Sequence, residues 1–531
     1  MMFAVYLAHS TVFRLAFLRL FVFLPVFLLL LSFPILGASA SPVQNPLLTE
    51  GLKLLQANDL ERAKRKLEEF LKLEPTSAEG HYLLGVTYER KGDLPSAVRA
   101  YRNAVQHAPG MARAHDRLGF VLGLQGKVQE AIGEFEKAIE LDPNFFDAQY
   151  HLGATLWWTK EPDRALAALR KAVGLAPDHP EAHYYLGLTE KLKGNLEVAL
   201  NELHRAVKLN PALAVVRFQL GLALQEAGDL DGAVGEFKKA FDLNSALTEA
   251  ANNLGLALIQ KGEAEEAVAI LQALVRAHPE NAAARLNLGS AFLQKGDVSA
   301  AVEVYRELTR IAPTSAEAFY NLGMALKQKD EFQAAEAELQ TAIKLNPALS
   351  EAHYTLGVVL WQNGRASEAI ASFRAAIAQK TNYADPHYML GTILKQQRKL
   401  EEAILEFRQT IDYQPRSAEA YLSLGQVLQQ KGDSDGAAAA FAEAERLNKR
   451  KADEQAAIFA VNAGLQKLKR NDLAGAISKF REAVRLAPES PQAHYQLALA
   501  LRSSGEKEDA QLHFQEARRL APYLKPPDSS E

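Results

Sequence analysis

The sequence predicts an all-α fold, a solenoid of about fourteen helix-turn-helix units stacked one on the next. Three observations carry that expectation. Glycine recurs at one constant step, at Gly51, Gly85, Gly119, Gly153 and onward to Gly425. An alanine stands at a fixed offset after each, from Ala63 to Ala437, and the pairing resumes with Gly464 and Ala476, then Ala498 and Ala510. Proline keeps a second fixed offset after most of these positions, as at Pro75, Pro109, Pro143, Pro279 and Pro488. A spacing held this long marks one supersecondary unit repeated. Such a unit cannot bury both its faces alone and must stack on its neighbours.

The first element stands apart from the array. Residues 1–40 carry Arg14 and Arg19 with no acidic residue, then an apolar run from Leu20 to Leu36, then Ala38-Ser39-Ala40. A basic start, an apolar middle and an Ala-x-Ala end mark a secretory signal peptide, with cleavage expected after Ala40. Pro25 and Pro34 break the apolar run. It falls short of the about 20 residues a lasting anchor uses, so a membrane anchor at 20–36 is the alternative. In either case the arginines stay cytoplasmic, and the array is expected outside the cytoplasm, periplasmic or secreted.

Within each unit the apolar positions fall at helical spacing on two segments joined by a turn such as Lys91-Gly92-Asp93 or Lys295-Gly296-Asp297. Leucine usually precedes the repeat glycine, as at Leu84, Leu118 and Leu152. An aromatic or leucine comes later in the unit, as at Tyr101, Phe135, Phe237, Tyr305 and Phe373. Small residues at the glycine and alanine positions let the two helices cross closely. The aromatic is expected to fill the space between hairpins. Proline ends the second helix, and Thr76-Ser77, Asn281 or Thr314-Ser315 supply caps for the next one.

One irregularity interrupts the register. The step from Gly425 to Gly464 is longer than the others by five, and Asn448-Lys449-Arg450-Lys451 stands where proline and cap belong. No Gly or Pro lies between Gly436 and Gly464, so the second helix of the twelfth unit is expected to run on or bend. The organisation expected is twelve units in strict register over 44–451, an insertion at 452–456, two further units over 457–524 and a disordered tail at 525–531.

This pattern resembles the tetratricopeptide repeat family over nearly the whole chain, from residue 44 to residue 524. The resemblance implies a right-handed superhelix whose first helices line a concave groove. It also implies a role as a scaffold or adaptor, here an exported one.

Composition narrows the chemistry. With 60 Lys+Arg against 64 Asp+Glu the net charge is −4, which offers no basic footprint for nucleic acid. The absence of cysteine excludes disulfides, thiolate metal sites and a cysteine nucleophile. His81, His115, His183, His353, His387 and His494 all stand four before the repeat position, which makes them one packing site repeated and not a metal cluster. Carboxylates six before it, such as Glu79, Glu317, Glu351 and Glu419, sit in a first helical turn and favour the helix dipole. No phosphate loop, zinc helix or nucleophile elbow is present. The expectation is a protein that is not an enzyme and takes no cofactor and no metal.

The candidate binding residues lie on the first helices. Asn253, Asn287 and Asn321 occupy the position two before the glycine in successive units. Gln260, Gln294, Gln328, Gln362, Gln396 and Gln430 occupy the one five after it. An amide can donate to and accept from a peptide backbone at once, so such rows suit an extended segment. The asparagine row is similar to the one in the repeat superhelix of O-linked N-acetylglucosamine transferases. Tyr320 and Tyr354, three before the glycine, and Trp157, Trp158 and Trp361 are candidate aromatic anchors. Arg113 and Arg117 lack the polar neighbours that a carboxylate clamp needs, since Leu48, Leu52 and Leu83 stand there.

The leading functional expectation is a scaffold that binds peptide segments or partner proteins in its groove, in an envelope, secretion, pilus or exopolysaccharide assembly. The alternative is a substrate-presenting subunit of a glycosyltransferase-type enzyme whose catalytic part is another chain, since the repeats fill the sequence almost to its end. A membrane-tethered assembly factor differs from the first only in keeping residues 1–40.

Overall fold

The structure, a computed structural model, describes residues 45–521 and 524. The leader expected at 1–40 and the tail expected at 525–531 lie outside the described residues. Among the described residues there are 27 helices and no strand, an all-α solenoid. The chain divides into two units, residues 1–223 and 224–531, and the division falls inside the helix Ala214–Ala227.

A hairpin forms where the sequence alternates a close crossing with a strong stop. In the hairpin Ala78–Arg90 and Leu94–His107, a Cβ placed on Gly85 would lie 2.6 Å from the Tyr101 ring, so only glycine admits that ring. Ala97 is fully buried at the same crossing. The aromatic closes the space inside its own hairpin, against the repeat glycine, and also reaches the next hairpin, as the Phe135 ring does toward His151 at 5.6 Å between centroids. Gly119 meets Phe135, Gly357 meets Phe373 and Gly391 meets Phe407 in the same way. All fourteen repeat alanines are buried.

The turns use the chemistry their residues dictate. Gly92 and Gly296 take positive φ of 74° and 87°, which costs glycine nothing. Asp93 and Asp297 then cap the second helices by accepting from the amides of Ser96 and Ala300. Ser77, Asn281 and Ser315 cap the first helices of their hairpins by accepting from Gly80, Ala284 and Ala318.

Between hairpins the stack is stitched at a fixed offset. Lys91 pairs with Glu61, Lys193 with Asp163, Lys261 with Asp231 and Lys431 with Glu401, each joining the end of a first helix to the preceding second helix. The carboxylates are exposed, so these pairs serve register more than stability.

In unit one the core runs through Tyr101, Phe120, Phe135, Leu156, Leu169 and Tyr185. In unit two the hairpin interiors hold Phe237, Leu271, Tyr305, Leu339, Phe373, Phe407 and Phe480, all fully buried. The break in register resolves there as one continuous helix of 36 residues, Ser434–Lys469. It closes the twelfth hairpin and opens the thirteenth, which is why fourteen hairpins need only 27 helices. Nothing between Gly436 and Gly464 stops it, and Arg446–Glu443 and Arg450–Glu454 pairs support its middle.

Candidate partner-binding surface

The first helices present their repeat positions in rows, and the structure shows which rows are tied into the stack. Asn287 donates to the side-chain oxygen of Asn252, 3.0 Å away and one hairpin earlier. The same step joins Asp116 to His151 at 2.8 Å, Tyr388 to Ser423 at 3.4 Å, and Tyr320 to Thr355. The residue three before one repeat glycine thus reaches the residue two before the next. Asn253 and Asn321 donate instead to carbonyls of their own helices, Glu249 at 2.9 Å and Glu317 at 2.8 Å. The asparagine row is therefore hydrogen-bonded already within the array.

The glutamine row splits in two. Gln260 accepts from Gln225 at 2.7 Å, and Gln294 donates to the carbonyl of Ile259 at 2.8 Å. In unit one Arg90 does the same to Leu55, so this position also bridges to the previous hairpin. Gln328, Gln362, Gln396 and Gln430 are exposed and make no side-chain hydrogen bond among the described residues. They stand at the ends of the helices Ala316–Gln328, Ser350–Gln362, Ala384–Gln396 and Ala418–Lys431, one per hairpin. Trp361, half-buried, precedes Gln362 on the same turn.

The aromatic candidates fall in both units. In unit one Trp157 packs edge-on to Tyr185 with centroids 5.6 Å apart, and Trp158 lies 6.4 Å from Trp157. Both indoles stay partly exposed. In unit two Tyr354 sits 5.4 Å from Tyr383, and the ammonium of Lys380 lies 4.9 Å over the Tyr383 ring. Neither Tyr383 nor Lys380 stands out in the sequence. The one available signal is Thr381, placed where most units have proline.

The repeated histidine is a clasp. His115 holds the Pro109 carbonyl at 3.0 Å with Nε2 and Glu134 at 2.7 Å with Nδ1. His183 does the same with Pro177 and Glu202. Gln149, Arg217 and Arg285 take the histidine's place against Pro143, Pro211 and Pro279. A carbonyl exposed by the proline turn is thereby satisfied in each of these hairpins. Among the described residues no three His, Asp or Glu side chains gather as a metal requires. Arg113 pairs with Glu79 and lies over Tyr82, and Arg117 faces Glu89 and Phe120.

Among the described residues no helix is long and apolar enough to cross a membrane. Family models described as tetratricopeptide repeat match residues 48–115, 124–188, 218–278, 252–316, 320–384, 388–455 and 461–524. Among curated proteins none matches the chain. Solved structures that it is similar to include MamA 41-end from Desulfovibrio magneticus RS-1, 28% identical with TM-score 0.30, covering 32% of this chain and 96% of that one. The APC/C hetero-tetramer Cut9-Hcn1 is 17% identical with TM-score 0.34, covering 86% and 96%. YrrB, described as a TPR protein with an unusual peptide-binding site, is 23% identical with TM-score 0.32, covering 35% and 95%.

Proposed function

The chain belongs to the tetratricopeptide repeat family of protein-interaction scaffolds, and from that premise we propose that it holds extended segments of partner proteins along its first helices, outside the cytoplasm. The observation that carries the reading is the exposed row Gln328, Gln362, Gln396 and Gln430, whose amides are not engaged by the stack. Each can donate to and accept from one peptide unit of an extended chain, which gives affinity without close sequence reading. Trp361 beside them supplies an apolar anchor. Asn253 and Asn287 lie on earlier first helices and Asn321 on the helix of Gln328, where a partner has to compete with bonds already formed. The protein acts by binding and not by catalysis.

The export reading rests on the pattern of residues 1–40, and N-terminal sequencing of the protein recovered from cells tests it. A mature end at Ser41 supports a cleaved leader, and an intact Met1 in the membrane fraction supports the anchor. The binding reading is tested by affinity capture from cell-envelope extract with the whole chain and with Gln328, Gln362, Gln396 and Gln430 changed together to Ala. A partner captured by the first and lost by the second is the expected result. Equal capture by both moves the site away from this row.

A further inference from the structure

Resting on the scaffold reading, we infer that part of the same face, in the hairpins built on Ala316–Gln328, Ser350–Gln362 and Ala384–Gln396, recognises a cationic segment, a stretch of partner chain presenting lysine or arginine. Two kinds of group converge there. Tyr320, Tyr354 and Tyr383 lie close together and half-buried: Tyr354 and Tyr383 are 5.4 Å apart between centroids, and Tyr383 feels the charges of Glu351 and Asp385. Around them Glu317, Glu351 and Asp385 repeat at one offset. A ring face with a carboxylate beside it is the pairing that attracts an ammonium or guanidinium.

A third observation shows that the site takes a cation. Lys380 of this chain stands with its ammonium 4.9 Å over the Tyr383 ring and 3.6 Å from Glu351. Its side chain is 47% exposed, so it rests on the site without filling it. Glu317 and Asp385 have no basic partner among the described residues, whereas in unit one the equivalent Glu79 is neutralised by Arg113. The face in unit two is left electrostatically open toward a positive partner. Lys380 is then an internal competitor that a partner's lysine displaces.

The test is fluorescence anisotropy with the whole chain and three labelled probe peptides of equal length, one lysine-rich, one neutral and rich in Gln and Ser, and one glutamate-rich. The lysine-rich peptide is expected to bind best and to weaken as salt rises. Tyr354→Leu and Glu351→Gln are each expected to weaken it about fivefold or more, the scale of a partly desolvated cation–ring contact. Lys380→Ala is expected to tighten it, because it removes the competitor and leaves the rings and acids. That change of sign is not one a misfolded variant produces. Equal binding of the lysine-rich and neutral peptides, with both lost when Gln362 and Gln396 become Ala, overturns the cationic inference and leaves the scaffold reading standing. Binding of the lysine-rich peptide untouched by all three variants overturns it as well.

Discussion

His494 and His513 face each other Nδ1 to Nδ1 at 2.9 Å in the last hairpin, where three earlier hairpins set a histidine against a glutamate. His494 also donates from Nε2 to the Pro488 carbonyl, so its neutral Nδ1 accepts and His513 donates. Burial first, and then the neighbouring His494, push the His513 pKa below its ordinary 6.5, while Asp509 and Glu516 oppose and Arg481 adds to the shift. The unfolded chain therefore takes up the proton at higher pH than the folded hairpin does. Stability of the helices Pro491–Ser504 and Lys507–Leu520 is expected to fall as pH drops below about 6.5. His513→Glu sets a glutamate against the histidine as in the other clasps and is expected to flatten that slope, because the group that carries the shift is gone. Hydrogen exchange of these two helices at pH 5 and pH 8, corrected for intrinsic rates, checks both statements.

Two glycines in one hairpin are expected to answer the same substitution with opposite signs. A Cβ on Gly119 would lie 2.8 Å from the Phe135 ring and 3.0 Å from the Ala131 carbonyl oxygen, and neither can yield without moving the helices apart. Gly119→Ala is expected to destabilise by about 1–3 kcal/mol. Gly133 lies inside the helix Val128–Leu141 with open space around its Cα, so Gly133→Ala is expected to stabilise by about 0.5–1 kcal/mol. Urea unfolding followed by circular dichroism distinguishes them.

The shared helix Ser434–Lys469 should fail locally when broken. Lys451 is exposed near its centre, and Lys451→Pro removes a backbone donor and clashes with the preceding turn, a cost of about 3 kcal/mol. The thirteenth and fourteenth hairpins form a core of their own around Phe480, Leu497 and Phe514. They are expected to stay folded while residues 448–456 become open to protease. Limited proteolysis with mass mapping reads this directly. Loss of protection throughout 457–521 would instead show that those hairpins depend on the continuous helix.

The repeat is legible in the sequence because close approach leaves so few residue choices. Only glycine clears the Tyr101 or Phe135 ring, and only a small residue fits at the Ala97 and Ala131 crossings, so both recur at fixed offsets. The run-on at 448–451 is legible for the converse reason, since nothing there stops a helix. The cross-hairpin ties are not, because Asn252–Asn287 and Gln225–Gln260 join neighbouring hairpins through side chains whose partner depends on local rotamers. Asn287 and Gln294 therefore look no different in sequence from Gln362, although the first two hold the stack and the last makes no side-chain hydrogen bond among the described residues. The histidine clasp does leave a signal. Glu134, Glu202 and Glu406 stand at one shared offset after His115, His183 and His387, and a comparison of paired positions finds it.

The most direct measurement is site-specific photo-cross-linking in living cells, with a cross-linking residue placed at Gln362 on the exposed row and, as control, at Gln340 on the second helix Phe332–Leu345. The expected result is a discrete adduct with a partner protein from Gln362 and none from Gln340. Adducts from Gln340 alone, or the same adducts from both, would contradict binding along the first helices.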